Sequence, residues 1–484
     1  DAASFRFKQG HSSNRSRIWE SGIPLSGMTK GAGIFAAECE GPSGFCRVPW
    51  VGVLLLALLM WGARPPSTIA QSARPNIILI MADDVGDEAF GAYGAEQVNT
   101  PHIDQLAREG LRFTRAYSQP ICTPSRVKIM TGQSNIRNYR AFGILGPEET
   151  TFAHVLQQAG YSTAVAGKWQ LYGSKAEHRP VRKKGMHPNH SGFDRYALWQ
   201  VWRRPSRYWK PRLRVDGDYR RFGRNRYGPT ITTNFLLNFI ESHQEEPFFV
   251  YYPMNLPHRP FHWPPGHRDQ DGSEQTQFKA MVQYLDRMVG RIVATVDRLA
   301  LTEETLILFT SDNGSSRRVR VRLNGRTLRG GKGQTTEAGM RVPLIARMPG
   351  TVPADTVADD LIGFSDVLPT LAEVAEAPLP EGPIDGRSFA PQLRGEEGAP
   401  RDWLFSYYTI GPYKGSVSNA KRFAWDRAWK LYSDGRLFHL ASDRKEEHPI
   451  QPGTGRPEAA AARKKLQTAL DSMPSEPQSL IAPE

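Results

Sequence analysis

Cys122 is the residue whose type and position first indicate chemistry. The sequence has 484 residues and three cysteines, and the other two, Cys39 and Cys46, lie in an N-terminal segment without clear periodicity. Cys122 therefore has no partner for an internal disulfide in the remaining chain. Pro124 fits the first turn of a helix, which predicts Cys122 at a helix N-terminus, where unpaired N–H groups favour an anion. Arg126 follows about one turn later. A small buried core cysteine is the alternative.

Carboxylate and amide side chains follow two apolar runs that have the length of strands buried on both faces. Asp83 and Asp84 end the first run, and Asp312 and Asn313 follow the second. Ligands bind at the carboxyl edge of open α/β sheets, and adjacent buried acids are costly unless a cation neutralises them. Four hard oxygen donors favour Ca²⁺, with Mg²⁺ or Mn²⁺ possible, over zinc. Solvated turns are the alternative for each pair alone.

Two more predicted strands are followed by a single basic or imidazole residue. Lys168 follows the predicted strand Tyr161–Ala166, and His258 follows the predicted strand Pro247–Tyr252. Lys332 lies in a Gly- and Arg-rich segment. Each alone is more simply explained as a solvated or structural side chain. Because these residues follow buried strands, most of them can converge at one sheet edge.

The segment from Cys122 to Arg126 resembles the Cys-x-Pro-Ser-Arg signature of the type I sulfatases, in the alkaline phosphatase superfamily. Further blocks that resemble this family follow in the expected order from about Arg74 to the C-terminus. They include Asp83-Asp84, Thr100–Leu106, Gly167-Lys168-Trp169, Pro257-His258, Asp312-Asn313 and the segment from Lys332 to Pro343.

The resemblance implies that Cys122 is oxidised to Cα-formylglycine by a maturation enzyme. Hydrated formylglycine supplies two hydroxyl groups on one carbon, one to attack sulfur and one to release the sulfate afterwards. The metal ligands implied by the resemblance are Asp83, Asp84, Asp312, Asn313 and the converted Cys122, and Ca²⁺ is the usual ion.

The resemblance also implies roles for the remaining polar residues. Arg126, Lys168 and Lys332 neutralise charge on the sulfate, and His258 is the candidate general acid. Gln170 stands where many relatives have a histidine that hydrogen-bonds the formylglycine. An amide can donate a hydrogen bond but cannot titrate, so any proton-transfer role of that position is in doubt.

The pattern of elements, together with the resemblance, predicts an α/β fold. A large mixed, mostly parallel sheet is sandwiched by helices, and a small C-terminal antiparallel sheet packs with one helix. The predicted boundaries are 1–73 for an N-terminal extension with a signal peptide, 74–396 for the catalytic domain and 397–484 for a small α+β subdomain. After about Pro400 the apolar residues alternate with period two, which is typical of antiparallel strands.

Residues 173–229 are predicted to be an insertion in which basic and aromatic residues alternate. Guanidinium groups bind sulfate in bidentate fashion and aromatic rings stack on sugars, so the segment suits a sulfated sugar as well as it suits a solvated basic loop. The basic residues are Arg203, Arg204, Arg207, Lys210, Arg212, Arg214, Arg220, Arg221, Arg224 and Arg226.

The N-terminal region and the net charge bear on location and partners. An apolar run from Val51 to Trp61 follows Arg47 and precedes small residues, which predicts a signal peptide cleaved near Ala70 and an exported protein with no stable membrane span. The formal charge of +13 favours anionic partners. Nucleic acid is not expected, because no nucleic-acid-binding motif is present.

The sequence thus predicts a sulfuric ester hydrolase that acts on sulfate monoesters of a carbohydrate or an aryl group. Three alternatives stay open: a phosphonate or phosphate diester hydrolase of the same superfamily, a sulfated-glycan-binding protein with an unconverted Cys122, and, on charge alone, a nucleic-acid-binding protein. The linkage cleaved and exo or endo action are open as well.

Overall fold

The computed structural model describes residues 74–177, 179–267, 272–410, 419–454 and 457–478. The predicted extension and signal peptide, 1–73, lie outside the described residues. The described residues belong to one compact unit, Ala70–Glu484. In the described part of the chain, no helix has both the length and the apolar character needed to cross a membrane.

A ten-stranded mixed sheet forms the centre of the molecule. In chain order the sixteen strands of the described chain are β1 (Asn76–Ala82), β2 (Leu111–Tyr117), β3 (Ser162–Lys168), β4 (Arg195–Trp199), β5 (Arg212–Val215), β6 (Asp218–Arg221), β7 (Phe248–Pro253), β8 (Thr305–Ser311), β9 (Arg320–Leu323), β10 (Arg326–Arg329), β11 (Arg341–Arg347), β12 (Thr356–Gly363), β13 (Leu404–Tyr408), β14 (Lys421–Trp425), β15 (Trp429–Tyr432) and β16 (Leu437–His439).

The spatial order of the large sheet is β12-β2-β11-β8-β1-β7-β3-β4-β5-β6. The five central strands from β8 to β4 are parallel, whereas β11 and β5 run antiparallel to their neighbours. The predicted mostly parallel sheet is confirmed. β9 and β10 form a separate hairpin.

Helices cover both faces of the large sheet, as predicted. Ten α-helices lie in the described chain: α1 (Pro101–Arg108), α2 (Cys122–Thr131), α3 (Asn135–Asn138), α4 (Phe152–Gln158), α5 (Gly228–Ser242), α6 (Glu274–Arg298), α7 (Glu337–Met340), α8 (Val367–Val374), α9 (Ala390–Leu393) and α10 (Pro457–Asp471).

Strand β1 shows why the sheet has two cores. All seven of its residues are buried, because successive side chains point to opposite faces and both faces are covered. Ile78 and Ile80 pack in the cluster that contains residues of α1, α5 and α6. Leu79 and Met81 pack in the cluster that contains residues of α2, α4 and α8.

The C-terminal strands form the predicted small antiparallel sheet, in the order β13-β14-β15-β16. Leu466 and Leu470 of α10 pack in one apolar cluster with Phe405 and Leu431 of this sheet. The fold class is therefore confirmed in both of its parts, while the domain boundary near 396 stays a prediction.

The segment 173–229, which the sequence predicts to be a basic insertion, contains regular strands, and its status as an insertion stays a prediction. It contains β4, β5 and β6, which extend the large sheet by three strands. Leu213 and Val215 of β5 are buried in the core beside Ala197 of β4, so alternate positions of this basic segment are apolar and packed. A continuous basic loop is therefore not what the chain forms here.

Candidate active site

The acidic residues predicted to act together lie at the carboxyl edge of the central strands. Strands β1 and β8 pair in register, with Ala82 opposite Ser311. Asp83 and Asp312 directly follow the two strands and are consequently level with each other. The backbone N–H of Asp84 donates a hydrogen bond to Oδ1 of Asp312 at 3.1 Å.

Asn313 completes this group of buried oxygen donors. Its Nδ2 donates to Oδ1 of Asp84 at 2.9 Å. Its Oδ1 is buried and has no hydrogen-bond partner among the described residues. A buried acceptor without a hydrogen-bond partner costs free energy. A cation bound beside Asp84 would give this oxygen a partner.

Three basic side chains neutralise the carboxylates. Nζ of Lys168 lies 2.8 and 3.0 Å from the two oxygens of Asp83. Nζ of Lys332 lies 2.6 Å from Oδ2 of Asp84. Burial alone would raise the pKa of Asp83, but Lys168 and the other nearby cations hold that pKa below its usual range.

Asp312 is the third carboxylate and pairs with Arg126, whose Nη2 lies 3.0 Å from Oδ2 of Asp312. Burial and the neighbouring Asp83 raise the pKa of Asp312 to about 7, although Arg126 opposes this rise. Arg126 also donates to the backbone O of Lys168 at 3.1 Å, so it connects the ends of β8 and β3.

The donors at this edge fit a divalent cation with a preference for oxygen ligands. Asp83, Asp84, Asp312 and Asn313 present carboxylate and amide oxygens, and Oδ1 of Asn313 lacks another partner. Ligand atoms of Asp83, Asp84 and His258 also lie within 4.8 Å of one another, so an Asp-Asp-His group could hold a metal. The sequence did not predict His258 as a ligand.

Cys122 is the first residue of α2, as the sequence predicted. Its Sγ–H donates to Oε1 of Gln170 at 3.1 Å. The preceding residue, Ile121, provides no side-chain cap, so the first N–H groups of the helix stay available. Burial raises the pKa of the Cys122 thiol. Cys122 is therefore protonated near neutral pH, and a protonated thiol is a weak nucleophile.

The other residues of the signature hold the loop that precedes α2. Oγ of Ser125 accepts a hydrogen bond from the N–H of Gln119 at 2.9 Å. Oγ1 of Thr123 accepts from the N–H of Gly143 at 3.1 Å. Oγ of Ser406, in β13, donates to Oε1 of Gln119 at 2.7 Å. The small C-terminal sheet therefore braces the loop before Cys122.

The end of β3 places Lys168 and Gln170 by a tight backbone path. Gly167 has a φ of 125°, and a Cβ at this position would lie 2.0 Å from the O of Pro253 in β7. Gln170 itself has a φ of 57°. Its N–H donates to the O of Gln200 at 3.3 Å, which connects the active-site edge to the segment after β4.

His258 also lies at this edge, with Nε2 at 3.5 Å from Oδ2 of Asp84. Burial lowers the pKa of His258 to about 3, with Arg207 acting in the same direction and Asp84 against it. The imidazole is therefore neutral near pH 7.

Arg207 is a site residue that sequence reasoning did not single out. Its Nη2 lies 2.7 Å from Nδ1 of His258. Its guanidinium lies over the ring of Trp199, 4.6 Å from the centroid. In the sequence Arg207 is one of ten basic residues between 203 and 226, and nothing local distinguishes it from the other nine.

The structure thus brings all ten predicted site residues to one edge of the sheet. Roles for these residues stay predictions. Within the basic segment, Arg207 reaches His258, and several other arginines line a separate cavity beside β4, β5 and β6.

Comparisons with known proteins give consistent results. Residues 75–377 match a model of the Sulfatase family, and residues 332–475 match a model described as N-sulphoglucosamine sulphohydrolase, C-terminal. Human arylsulfatase A is 35% identical over 374 residues, which cover 70% of this chain and 71% of that protein. N-acetylgalactosamine-6-sulfatase of the dog is 31% identical over 414 residues, which cover 75% of this chain and 74% of that protein.

Solved structures have the same fold. One of them is described under the metabolism of multiple glycosaminoglycans by Bacteroides thetaiotaomicron. It aligns with a TM-score of 0.66 and 25% identity, and the alignment covers 83% of this chain and 99% of that chain. A second, solved in complex with its substrate D-glucosamine-2-N,6-O-disulfate, has a TM-score of 0.66, 22% identity and coverages of 82% and 97%.

Proposed function

Since the chain belongs to the sulfatase family and is a sulfatase that hydrolyses sulfate esters, we propose that its substrate is a sulfate monoester of a carbohydrate or an aryl alcohol. We propose further that its nucleophile is a Cα-formylglycine made from Cys122 by a maturation enzyme. Similarity to sulfatases with carbohydrate substrates in their names supports the first part.

The environment of Cys122 carries the second part of the proposal. The side chain lies at the N-terminus of α2, buried, close enough to Lys168 and Lys332 for both cations to act on its pKa. This is a place for an anionic group. The unmodified thiol is held protonated, so a cysteine here is poorly suited to attack sulfur. Conversion to a hydrated aldehyde would supply a nucleophilic hydroxyl and a second hydroxyl for release of the sulfate.

In this proposal, Lys168 and Lys332 neutralise the negative charge of the bound sulfate group. Each ammonium lies between a carboxylate and the space beside Cys122, so each can donate to a non-bridging sulfate oxygen. Arg126 donates through Nη2 to Asp312 and through Nη1 to the backbone O of Lys168, and it holds those two groups in place.

A divalent cation, which we propose to be Ca²⁺, would be held by Asp83, Asp84, Asp312 and Asn313. It would stabilise charge on a sulfate oxygen and lower the pKa of the nucleophile. The Asn313 Oδ1 without another partner supports this set of ligands.

His258 is the proposed proton donor to the leaving alcohol oxygen. In the neutral form that the lowered pKa favours, the ring can donate a hydrogen bond from Nε2 to the leaving oxygen, whereas full proton transfer requires the protonated imidazolium. Nη2 of Arg207 and the backbone O of Arg259 both lie within hydrogen-bond distance of Nδ1 and fix the ring. Gln170, which accepts from Cys122 Sγ, can position the nucleophile by hydrogen bonding but cannot exchange a proton with it.

A mass spectrum of the tryptic peptide Ala116–Arg126 tests the nucleophile, using protein made in its native host. We expect the aldehyde at position 122 and turnover of an aryl sulfate, and we expect Cys122→Ala to abolish that turnover. An unmodified thiol in protein that still cleaves the aryl sulfate would overturn the proposal. Faster turnover of a phosphate diester than of any sulfate ester would overturn the proposed substrate class.

Export belongs to the same proposal. N-terminal sequencing of the mature protein from its native host tests it, with a start shortly after Ala70 as the expected result. A mature protein that retains the apolar run from Val51 to Trp61 contradicts cleavage at that point.

A further inference from the structure

We propose that a cavity beside β4, β5 and β6 binds a second anionic group of the substrate, a sulfate or carboxylate on a sugar adjoining the one that carries the cleaved ester. The substrate would accordingly be a multiply charged saccharide. This inference rests on the proposed function for the identity of the group that reaches Cys122. We call this space the basic cavity.

The basic cavity is linked to the active-site edge through one residue of its wall, Gln200. Its volume is about 490 Å³, within the usual range for sites that take small molecules. Gln200 and Tyr172 contribute to its wall. The backbone O of Gln200 accepts from the N–H of Gln170, and Gln170 contacts Cys122 through its side chain. A single residue thus connects the cavity wall to the nucleophile position.

The cavity wall carries an excess of positive charge. Lys183, Arg203, Arg212, Arg214 and Arg221 all line it. Within the described chain, none of these five takes part in an ion pair with a carboxylate, whereas the basic residues around Asp83 and Asp312 are paired. Unpaired guanidinium groups are suited to bind a sulfate or carboxylate through two parallel hydrogen bonds.

Three polar atoms of the wall are buried and lack a hydrogen-bond partner in the described part of the chain. They are Nε of Arg214, Oη of Tyr219 and Oε1 of Gln200. Leaving such atoms unsatisfied is costly. Nε of Arg214 and Oη of Tyr219 can each donate a hydrogen bond to an anion. Oε1 of Gln200 can accept a hydrogen bond from a sugar hydroxyl. The rings of Tyr172 and Trp202 also line the cavity, and Nζ of Lys183 lies over one face of the Trp202 indole, 4.9 Å from the ring centroid.

Strand geometry places these groups on one face. Arg212 pairs with Arg221, and Arg214 pairs with Tyr219, across the β5–β6 hairpin. Alternate side chains point to opposite faces, so Arg220, which pairs with Leu213, lies on the other face. The hairpin therefore places Arg212, Arg214 and Arg221 on the cavity side and Arg220 on the opposite side.

The small size of the cavity favours a saccharide over a nucleic acid. A strand of nucleic acid needs an open basic groove with stacking surfaces along several nucleotides. The basic cavity is of small-molecule size.

Equilibrium binding of a heparin-derived tetrasaccharide tests the proposal, with the full chain carrying Cys122→Ala so that no turnover occurs. We expect Arg212→Gln/Arg221→Gln to raise the Kd about tenfold or more. The control, Arg220→Gln/Arg224→Gln, removes the same charge outside the cavity and should change the Kd less than twofold. Equal losses in both double variants, or no binding by the parent protein, would overturn the proposal. So would tighter binding of a single-stranded oligonucleotide with the same dependence on Arg212 and Arg221.

Turnover gives a second readout on the mature enzyme. For chondroitin-type disaccharides with one and with two sulfates, the ratio of kcat/KM should favour the doubly sulfated compound. That ratio should fall about tenfold in Arg212→Gln/Arg221→Gln and stay constant in the Arg220→Gln/Arg224→Gln control. An unchanged ratio in the first variant contradicts the inference. If no sulfate ester is cleaved at all, the proposed function fails, and the binding measurement still decides whether the cavity takes an anionic sugar.

Discussion

Arg126 shows how much of the site depends on one buried guanidinium. Its side chain is 1% exposed, and it donates to both the carboxylate of Asp312 and the backbone O of Lys168. A buried charge of this kind is stable only when it is paired, and removal of one partner leaves the other uncompensated.

Arg126→Gln should therefore lower the free energy of unfolding by about 3 kcal/mol or more, because Asp312 loses its ionic partner. Turnover should fall at least about a hundredfold, since the ends of β3 and β8 lose their connection. Urea denaturation and steady-state kinetics measure the two effects. As a control, Arg436→Gln breaks an exposed pair with Asp434 and should cost less than about 1 kcal/mol. Equal stability of the two variants would contradict the structural role of Arg126.

Glu88 makes the stability of the protein depend on pH. Burial, together with Asp87, raises the pKa of Glu88 from 4.5 to about 7 in the folded protein. The folded state then holds this proton more tightly than the unfolded state. The stabilisation is fully present below pH 4.5 and is lost as the pH rises through 7, an effect of about 3 kcal/mol.

Glu88→Gln should remove this dependence, because the amide cannot lose a proton. We expect the variant to match the wild-type protein near pH 5 and to exceed its free energy of unfolding by about 2 to 3 kcal/mol at pH 8. Urea denaturation at the two pH values measures this. The exposed Glu303→Gln serves as the control and should leave the difference between the two pH values as in the wild type. A Glu88→Gln variant that is still less stable at pH 8 by the wild-type amount would contradict the assignment.

At the scale of elements, the site residues follow the ends of strands, and β3 can pack close to β7 at this end only because residue 167 is a glycine. Gly167→Ala puts a Cβ where the O of Pro253 lies and imposes a φ that alanine rarely adopts. We expect a loss of about 3 kcal/mol or more in the free energy of unfolding and a large loss of turnover, because β3 and β7 must separate and Lys168 moves with β3.

Thermal unfolding and kinetics measure these effects of Gly167→Ala. The matched control is Gly223→Ala, where the added Cβ meets no atom within 4 Å and the backbone is ordinary. It should change stability by less than about 1 kcal/mol. A Gly167→Ala variant as stable as this control would contradict the close approach of β3 to β7.

The central strands could be predicted from the sequence because burial on both faces gives each one a continuous apolar run. β1, β7 and β8 follow this pattern, and the small C-terminal sheet follows the alternation expected of antiparallel strands. β2 could not be predicted in this way. The alternation of apolar and polar residues in it breaks at Thr114 and Arg115. Its pairing with β11 and β12 joins residues more than 200 positions apart.

Convergence of the site residues was predictable for the same reason, since polar residues at the ends of parallel strands meet at one edge. The contact of Arg207 with His258 was not predictable. It depends on how β4 and β5 add to the sheet and turn the segment between them back toward β7. No local pattern of charges carries that information.

At the scale of the whole molecule, a bound cation should stabilise the fold, because the proposed ligands come together only when β1 and β8 pair. We expect Ca²⁺ at a hundred times its Kd to add about 2.7 kcal/mol to the free energy of unfolding, and we expect a chelator to reverse the effect. The shift in Tm measured by calorimetry checks this.

Asn313→Ala should reduce the Ca²⁺-dependent shift in Tm, since it removes the Oδ1 that lacks another partner. The exposed Asn225→Ala is the control and should retain the full shift. A Tm that does not respond to Ca²⁺, Mg²⁺ or Mn²⁺ would contradict a metal site at this edge. A shift retained in full by Asn313→Ala would remove Asn313 from the ligands.

The brace between Ser406 and Gln119 has a consequence for the order of events during synthesis. The two residues are 287 positions apart. Ribosomes add about 5 to 20 residues per second, so roughly 15 to 60 s pass between synthesis of the loop before Cys122 and synthesis of the strand that braces it. In the complete fold, Cys122 is only 3% exposed. A maturation enzyme of the kind proposed above would therefore meet its target on the growing chain, and the rate of translation would set how long the thiol can be reached.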